Sequence, residues 1–528
     1  MSYALFDDGG KFHAGRVMSE AETSVQVELD SGKRVKVKAA NVLLRFERPP
    51  PGELLAAAQR LAPEIDLDLA WEFAPDEDFG FAELAREYFS AQADAAQQAA
   101  ALLRLFDAPH YFRRVGKGQF RKAPEETVKA ALAAIERRKQ LAAQVDTWAA
   151  ELAAGRCPPA VREQLYRILF KPDKNAPEYK AVVQAARQSQ RAPLDLLGAA
   201  GAIDSPYQFH WQRFLFEQFP RGTGFPPLEL PPAPADLPLA AVRAFSIDDS
   251  ATTEIDDALS VTGIGQGTVV FGIHIAAPGL AITPDSALDK LARERLSTVY
   301  MPGWKITMLP DAVVQAYTLD EGRDCPALSL YLTVDEATLE IRAAETRLER
   351  VSIAANLRHD QLDEVITEAS LTGDAVADYP FAAELAFAFR LARQRKAARE
   401  AVRGKPETFN RPDYAFRLDA DGSAPPDGSE TVSITPRRRG APLDLIVAEA
   451  MILANSHWGG WLAEHGVPAI YRSQASLLPG VKVRMGSKPL PHAGMGVPQY
   501  AWSTSPLRRY VDLVNQWQII ACVRHGRT

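Results

Sequence analysis

Five carboxylates stand close together in residues 245–261, FSIDDSATTEIDDALSV, and they are the side chains best suited to chemistry. These carboxylates are Asp248, Asp249, Glu254, Asp256 and Asp257. Apolar residues precede and follow them, which is typical of a strand-like frame rather than of a solvated acidic loop. Carboxylates at this density repel one another unless a positive charge lies among them, and no Lys or Arg intervenes. The pattern predicts that several of them point inward and need a cation.

A divalent cation is the natural partner for inward-facing carboxylates. A set of oxygen ligands favours Mg²⁺ or Mn²⁺ over zinc. The calcium EF-hand pattern fails, because Thr253 stands at its glycine position and Leu259 at its glutamate position. Mg²⁺ held by few carboxylates usually binds substrate phosphates, so phosphoryl transfer or phosphodiester hydrolysis is the chemistry we expect. Spacing alone leaves two alternatives open, a structural or regulatory cation and no cation.

A candidate anion site lies in residues 503–520, STSPLRRYVDLVNQWQII. Ser505 suits an N-cap and Pro506 the first helical position, and apolar residues then recur at helical spacing. This predicts Arg508 and Arg509 in the first turn of a helix, where guanidinium groups and free backbone N–H groups bind an anion. The alternative is a pair of exposed arginines that pair with nearby acids. Phosphodiester hydrolysis would need both an acidic metal site and such a basic site.

A second basic segment, HYFRRVGKGQFRKAP, occupies residues 110–124 after helix-like stretches. Its five cations are Arg113, Arg114, Lys117, Arg121 and Lys122. Tyr111, Phe112 and Phe120 interleave with them. Helices followed by a short basic hairpin are the pattern of a winged helix, and cations with aromatic rings predict a nucleic-acid surface. The alternative is a solvated hairpin whose rings pack on the core of its own domain.

Turn signals, helix-forming residues and prolines divide the chain into segments that would position these side chains. We predict a small β-barrel at 1–48, a winged-helix-like domain at 52–125, a helical region at 126–224, a Pro-rich linker at 225–240 and a mixed α/β domain at 241–528. The linker follows from six prolines in FPPLELPPAPADLP. The expected fold class is therefore multidomain α+β.

Composition excludes several classes of protein. With 528 residues, 47% hydrophobic and 24% charged, the chain is no disordered, collagen-like or coiled-coil rod protein, and its net charge of −7 argues against a generic basic nucleic-acid coat. Three distant cysteines without a CxxC pair exclude a disulfide scaffold and favour a reducing compartment. A long apolar run and a secretory signal are both missing from the sequence, so we expect a cytoplasmic protein without membrane contact. GIGQGT leads into a strand, which indicates a hairpin turn and no nucleotide cofactor.

Five ordered motifs in residues 240–528 resemble the catalytic RNB domain of the ribonuclease II and ribonuclease R family of 3′–5′ exoribonucleases. The motifs are IDDSATTEIDDA (247–258), HIAA (274–277), YMPG with MLP (300–303 and 308–310), AEAMILAN (448–455) and TSPLRRYVDL (504–513). Five motifs in one order are much more specific than any one alone. The paired cold-shock OB-folds that usually precede this domain are not recognised, and we expect the family's C-terminal OB-fold to be absent or truncated.

The resemblance implies a mechanism and a site. It assigns one or two Mg²⁺ ions to Asp248, Glu254, Asp256 and Asp257. The catalytic side chains would be Asp256, Arg508 and Glu449, with Arg508 on the scissile phosphate and Glu449 on the sugar at the RNA 3′ end. Arg509 would support Arg508, and Tyr300 would stack on or limit the RNA. Single-stranded RNA with a free 3′ end would be hydrolysed to nucleoside 5′-monophosphates, with weak sequence preference.

Three residues depart from the family pattern. Glu254 stands where the family mostly has Asp, His359 falls where a stacking Tyr is often found, and Ala448 replaces one of two adjacent acids. Imidazole also stacks on bases, so His359 stays a candidate RNA contact. We expect an active enzyme because Asp256 and Asp257 remain. The alternatives are a weak or inactive RNA-binding regulator and a DNA-binding regulator led by the winged helix, which leaves the carboxylates unexplained.

Overall fold

The computed structural model describes residues 2–526 apart from 230–231, 233, 235, 374–375, 377, 409–412, 420–421, 423 and 438–439. The chain divides into two compact units, Met1–Asp204 and Ser205–Thr528. The division falls before the predicted linker, because the helix at residues 206–218 bonds to a later segment of its own unit. Gln208 Nε2 donates to the carbonyl of Asp427 at 3.0 Å. Within the described ranges, no helix is long and apolar enough to cross a membrane.

The first unit begins with a β-sheet and continues mainly with helices. Its strands are β1 (Tyr3–Asp8), β2 (Lys11–Ala21), β3 (Ser24–Leu29), β4 (Arg34–Lys38), β5 (Val42–Phe46), β6 (Phe79–Gly80), β7 (Phe112–Gly116) and β8 (Gln119–Lys122). Its helices are α1 (Pro51–Leu61), α2 (Leu67–Phe73), α3 (Phe81–Tyr88), α4 (Ala95–Asp107), α5 (Glu125–Ala153), α6 (Pro159–Glu163), α7 (Leu165–Phe170), α8 (Pro177–Ser189) and α9 (Pro193–Ala199).

The first five strands form an antiparallel sheet in the order β4-β3-β2-β1-β5. Alternation explains the strands: in β3, Val25 and Val27 are fully buried, while the residues between and beside them are more exposed. In the turn between β1 and β2, Gly9 and Gly10 have positive φ, and Gly10 donates its N–H to Asp7 Oδ1 at 2.6 Å. Pairing in the described residues does not join β4 to β5, so a closed barrel is not confirmed.

Helices α1–α4 are followed by the hairpin β7–β8, to which β6 adds a third strand in the order β6-β8-β7. This is the element order that the sequence predicts for 52–125, and a winged-helix function stays a prediction. Beyond it, α5 packs on α8 and buries Ala149 and Leu152 with Val182 and Ala185. The part of the predicted helical region 126–224 that lies in the first unit is therefore helical, as its Ala, Leu and Glu content predicts.

The second unit is a mixed α/β structure. Its strands are β9 (Leu239–Asp248), β10 (Asp257–Thr262), β11 (Thr268–Ala276), β12 (Val299–Met301), β13 (Trp304–Ile306), β14 (Asp324–Asp335), β15 (Ile341–Arg358), β16 (Asp413–Leu418), β17 (Val432–Arg437), β18 (Tyr471–Ser473) and β19 (Arg484–Gly486). Its helices are α10 (Pro206–Gln218), α11 (Ala287–Arg295), α12 (Asp311–Tyr317), α13 (His359–Leu362), α14 (Glu368–Thr372), α15 (Ala382–Arg403), α16 (Pro442–Glu464) and α17 (Tyr510–Arg524).

Five strands of this unit close into a barrel in the order β10-β11-β14-β15-β9. β9 runs parallel to β15, and the other pairs are antiparallel. The strand β11 is buried along most of its length, so both of its faces are covered. The helix α16 is apolar on every side and packs into the same core, where Trp458 is fully buried. The predicted turn at GIGQGT joins β10 to β11.

Candidate active site

A cavity of about 940 Å³ in the second unit brings the acidic motif together with one of the predicted arginines. Its lining includes Asp248, Glu254, Asp256, Asp257, Tyr300, Lys305 and Arg508. The barrel positions the carboxylates: β9 ends at Asp248, and β10 begins at Asp257. The loop between them is fixed at Ile255, whose N–H donates to Thr318 Oγ1 at 2.9 Å and whose carbonyl accepts from Leu319 N at 3.1 Å.

Asp256 is buried and bonded to the segment that carries the arginines. Its Oδ1 accepts from the backbone N–H of Leu507 at 2.8 Å, and its Oδ2 accepts from Arg508 Nε at 3.1 Å. Burial raises the pKa of Asp256 to about 7, although the charge of Arg508 and the bond from Leu507 lower it in part. Asp256 therefore orients Arg508 in the cavity wall.

Asp248 and Asp257 form no ion pair with the described residues, in contrast to Asp256. Burial raises the pKa of Asp257 to about 8, and the negative charges of Asp248 and Asp256 raise it further. Burial also raises the pKa of Asp248, whose Oδ2 is buried without a hydrogen-bond partner in the described residues. Two neighbouring carboxyl groups in this state fit oxygen ligands of a divalent cation.

Glu254, by contrast, has three side-chain donors on its carboxylate. Its Oε1 accepts from Thr298 Oγ1 at 3.1 Å, and its Oε2 accepts from Tyr300 OH at 2.8 Å and from Lys305 Nζ at 3.3 Å. Its side chain is only 1% exposed. Within the described part of the chain, no group of three or more His, Cys, Asp and Glu side chains lies close enough to hold a metal. All four predicted ligands line the same cavity, and their metal role stays a prediction.

The predicted position of the arginines in a helix is wrong. The helix α17 begins at Tyr510, and Arg509 is extended, with φ −134° and ψ 124°. Backbone bonds to the segment before β12 explain this: Thr298 N donates to the carbonyl of Arg508 at 2.9 Å, and Tyr510 N donates to that of Leu296 at 2.8 Å. A single turn does form at Ser505, whose carbonyl accepts from Arg508 N at 3.3 Å and from Arg509 N at 3.0 Å, but the bonds to Leu296 and Thr298 interrupt it before α17 begins.

The two arginines have different surroundings. Arg508 donates from Nη2 to Ser505 Oγ at 2.8 Å, and its side chain is 39% exposed towards the cavity that it lines. Arg509 pairs with buried Asp512 at 2.7 Å and lies over the ring of Trp502 at 4.3 Å. Arg509 is not among the described residues that line the cavity.

Glu449 and His359 also lie outside the described lining of the cavity. Glu449, on α16, is 3% exposed. It accepts hydrogen bonds from Nε and Nη2 of Arg399 on α15, the first at 2.9 Å. His359 begins α13, with Nδ1 3.6 Å from Asp363 Oδ2, and it is near enough for its charge to lower the pKa of Asp248. The contacts that the resemblance implies for these two residues with RNA stay predictions.

The cations of the β7–β8 hairpin have partners within their own unit. Arg114 pairs with Asp7 at 3.5 Å, Arg121 with Asp78 at 2.6 Å, Lys122 with Asp76 at 2.8 Å, and Lys117 bonds to Asn41. For Arg113 the described residues provide no such partner. Tyr111, Phe112 and Phe120 are buried at 4%, 0% and 1% exposure. The rings therefore form the domain core, and any nucleic-acid contact here would be made by cations.

Sequence reasoning missed Lys305 and Thr298, which complete the surroundings of Glu254. A signal for Lys305 was present, because it is the only cation between Tyr300 and Pro310. Thr298 has no comparable signal, since its Oγ1 accepts from Met308 N at 3.0 Å only once the hairpin β12–β13 has formed.

Comparisons with known proteins identify the family. The RNB domain family model matches residues 237–481 and 478–525, which is more than half of the chain, so the chain belongs to the RNB domain family. An uncharacterized ribonuclease of Synechocystis is 30% identical over 309 residues, 54% of this chain and 43% of that protein. Exoribonuclease 2 of Vibrio vulnificus is 28% identical over 342 residues, 54% of this chain and 49% of that protein. The chain thus spans half or less of these curated relatives.

A solved structure extends the likeness to the whole chain. The crystal structure of an active-site mutant of the Dss1 exoribonuclease from Candida glabrata aligns with a TM-score of 0.58. The alignment covers 100% of this chain and 84% of that one, at 16% sequence identity. At this identity the likeness concerns the fold alone.

Proposed function

We propose that this chain is a Mg²⁺-dependent 3′–5′ exoribonuclease that hydrolyses single-stranded RNA to nucleoside 5′-monophosphates. One observation carries the proposal: a single cavity is lined by two carboxyl groups with raised pKa values, Asp248 and Asp257, and by the guanidinium of Arg508. A divalent cation would bind the carboxyl groups, and the phosphodiester that it accompanies would bind the guanidinium. Membership of the RNB family supports the same chemistry.

Asp248 and Asp257 would hold the cation, and Mn²⁺ could replace Mg²⁺ there. When bound, the ion would activate water and stabilise the leaving oxygen. Mg²⁺ is commonly bound through one or two carboxylates with waters and substrate phosphates completing its ligands, which suits a site with two such groups. The buried Oδ2 of Asp248, which lacks a hydrogen-bond partner among the described residues, supports this assignment.

Arg508 would bind the scissile phosphate. Asp256 and Ser505 hold its Nε and Nη2, so the guanidinium is fixed before the substrate arrives. Its remaining N–H groups have no acceptor among the described residues and can bond phosphate oxygens, as the 39% exposure of the side chain allows. Tyr300, which is 56% exposed and anchored through its hydroxyl to Glu254, would present its ring to a base or ribose.

The test is a time course on 5′-labelled single-stranded RNA with Mg²⁺ or with EDTA. We expect products shortened from the 3′ end, release of 5′-mononucleotides, and no reaction in EDTA. RNA with a blocked 3′ end serves as the matched substrate and should persist. If mononucleotides form equally in EDTA, or if cuts appear inside the blocked RNA, the proposal is wrong.

A second candidate is an RNA-binding protein without turnover. The arrangement of Glu254 favours it, because a carboxylate predicted to bind metal is instead bonded to Thr298, Tyr300 and Lys305. Tight RNA binding without degradation in either Mg²⁺ or Mn²⁺ would support this candidate. Metal-dependent release of mononucleotides by the purified chain, lost in Asp257→Asn, would exclude it.

A further inference from the structure

We propose that Glu254 is the anchor of the hairpin β12–β13 rather than a metal ligand, and that it holds Lys305 in the cavity as a second cation for the RNA backbone. The proposal rests on the proposed function for its substrate. It concerns a residue that the sequence motif assigns to the metal and a lysine to which the motif assigns nothing.

The surroundings of Glu254 leave little room for an ion. Three side-chain donors reach its carboxylate, two of them on Oε2, and the side chain is 1% exposed. One donor is already a cation, Lys305 Nζ, at 3.3 Å. A divalent ion bound at the same oxygens would have to displace these donors and lie against the ammonium group. The surroundings of Glu254 therefore suit a structural carboxylate better than a metal ligand.

The hairpin needs such an anchor. Its two strands have three residues each, and a two-stranded hairpin of this length is not stable by itself in water. At its base, Thr298 and Ser297 bond and bridge to the segment of Arg508 and Arg509. Glu254 supplies a second attachment, because its three donors all belong to the hairpin or to the residue before it.

Register explains why one carboxylate reaches both Tyr300 and Lys305. The two residues are directly opposite in the antiparallel pairing of β12 and β13. Opposite residues place their side chains on the same face of a hairpin, and here both side chains bond Glu254 Oε2. The carboxylate thus fixes the ring and the ammonium group together at the cavity wall.

Lys305 keeps the capacity to bind phosphate. An ammonium group has three donors, of which Glu254 and Thr253 take two. The side chain remains 32% exposed, and it lines the same cavity as Arg508. Lys305 and Arg508 lie at different parts of one cavity and would contact the RNA backbone at two points. Two contacts would hold successive nucleotides in position beside the carboxyl groups.

The experiment separates metal binding from RNA binding in the full chain. Calorimetry with Mn²⁺ measures metal affinity for the wild type and for Glu254→Gln, Lys305→Met and Asp257→Asn. Fluorescence anisotropy with a labelled single-stranded RNA in EDTA, over a range of salt concentrations, measures RNA affinity and its salt dependence. Neither readout requires turnover, so a chain that binds RNA without degrading it would refute the proposed function and leave this inference open to the same measurements.

We expect Mn²⁺ affinity to fall at least about tenfold in Asp257→Asn and to stay within about twofold of wild type in Glu254→Gln and Lys305→Met. A loss in Glu254→Gln as large as in Asp257→Asn would overturn the role of Glu254. Lys305→Met should weaken RNA binding about three- to tenfold and reduce the log–log salt slope by about 0.7, the share of one phosphate on a single strand. Lys305→Arg, which keeps the charge, should restore the slope.

A double variant tests whether Glu254 acts through the lysine. If Glu254 acts only by positioning Lys305, the double variant Glu254→Gln/Lys305→Met should lose no more RNA affinity than Lys305→Met alone. The losses of the two single variants should therefore not add in the double variant. Strictly additive losses would refute the anchoring role. If Lys305→Met weakens RNA binding but leaves the salt slope unchanged, the contact with the RNA backbone is refuted. The loss of a lysine–phosphate contact lowers the slope, whereas a misfolded hairpin can weaken binding without doing so.

Discussion

The hairpin β7–β8 of the first unit and the cavity of the second unit are both dense in charge, but they hold that charge in opposite ways. In the hairpin, four of the five cations lie beside an acid or an amide, and of their carboxylate partners Asp76 and Asp78 are exposed whereas Asp7 is buried. In the cavity, Asp248 and Asp257 are neighbours of the same sign in a desolvated place.

The difference shows which charges have capacity left for a ligand. A cation matched by an exposed carboxylate is already satisfied, and water screens what remains. A carboxyl group whose pKa is raised by burial and by another carboxyl group is held in an unfavourable state that a bound cation would relieve. Density of charged residues in the sequence marks both regions equally, whereas burial and partners separate them.

The largest effect should come from removing one carboxylate of the cavity. Asp257→Asn should lower the rate of RNA hydrolysis about 1,000-fold, because the proposed ion loses one of two protein ligands. Asp249→Asn is the matched control: Asp249 belongs to the same motif, but it accepts from Ala251 N at 2.9 Å and is not among the described cavity residues. Equal losses in single-turnover assays of the two variants would mean that the motif does not act through this cavity.

Next in size is the contrast between the adjacent arginines. Arg508→Lys should lower kcat/KM about 100-fold, because the single nitrogen of lysine cannot span the positions that Nε and Nη2 occupy beside Asp256 and Ser505 and also present a planar pair of donors to phosphate. Arg509→Lys should act mainly on folding, since Arg509 pairs with buried Asp512 and stacks on Trp502, and we expect a loss of about 1–3 kcal/mol in the free energy of unfolding. Kinetics and urea unfolding of both variants check this, and a reversed pattern would contradict the assignment.

The pH dependence of stability should reveal the unmatched carboxyl groups. The pKa of Asp257 is about 8 in the folded chain and about 4 in an unfolded one, so the folded state retains a proton between these values. In EDTA the free energy of unfolding should therefore fall as pH rises from about 5 to 8, by up to about 1.4 kcal/mol per pH unit for each such proton. Asp257→Asn should flatten this dependence of stability on pH. Replacing EDTA with Mg²⁺ should flatten it in the wild type.

Urea unfolding at several pH values measures this trend directly. At pH 8 in EDTA the Asp257→Asn chain should be more stable than the wild type, whereas at pH 5 the two should be similar. A wild-type stability that rises with pH across this window would show that Asp257 is not held in the unfavourable state that separates the cavity from the hairpin.

Local patterns made part of this structure predictable from the sequence. The alternating strands at 1–48, the helical composition of 126–204 and the apolar frame around Asp256 and Asp257 all depend on near neighbours, and the structure has these elements. The resemblance likewise placed Asp248, Tyr300 and Arg508, which meet in one cavity.

The errors arise where distant residues decide. Ser505 and Pro506 are a sound local helix signal and start one turn, but backbone bonds to Leu296 and Thr298 interrupt it, so Arg509 is extended and α17 begins at Tyr510. The roles predicted for Glu254 and Glu449 stay predictions, but the sequence did not reveal their partners. Lys305 lies 51 residues from Glu254, and Arg399, 50 residues from Glu449, meets it only when α15 and α16 pack.

The smallest effect on RNA binding should come from the cations of the hairpin β7–β8, where paired and unpaired cations can be compared directly. If a nucleic-acid surface exists there, Arg113 should carry it, because the described residues offer this cation no partner. Arg113→Ala should then weaken binding of single-stranded RNA about threefold, whereas Arg121→Ala should change it less than about 1.5-fold, since Arg121 is already paired with Asp78 at 2.6 Å. Anisotropy at low salt measures both. If Arg121→Ala has the larger effect, a partner within the chain does not silence a cation, and the distinction drawn between the two regions fails.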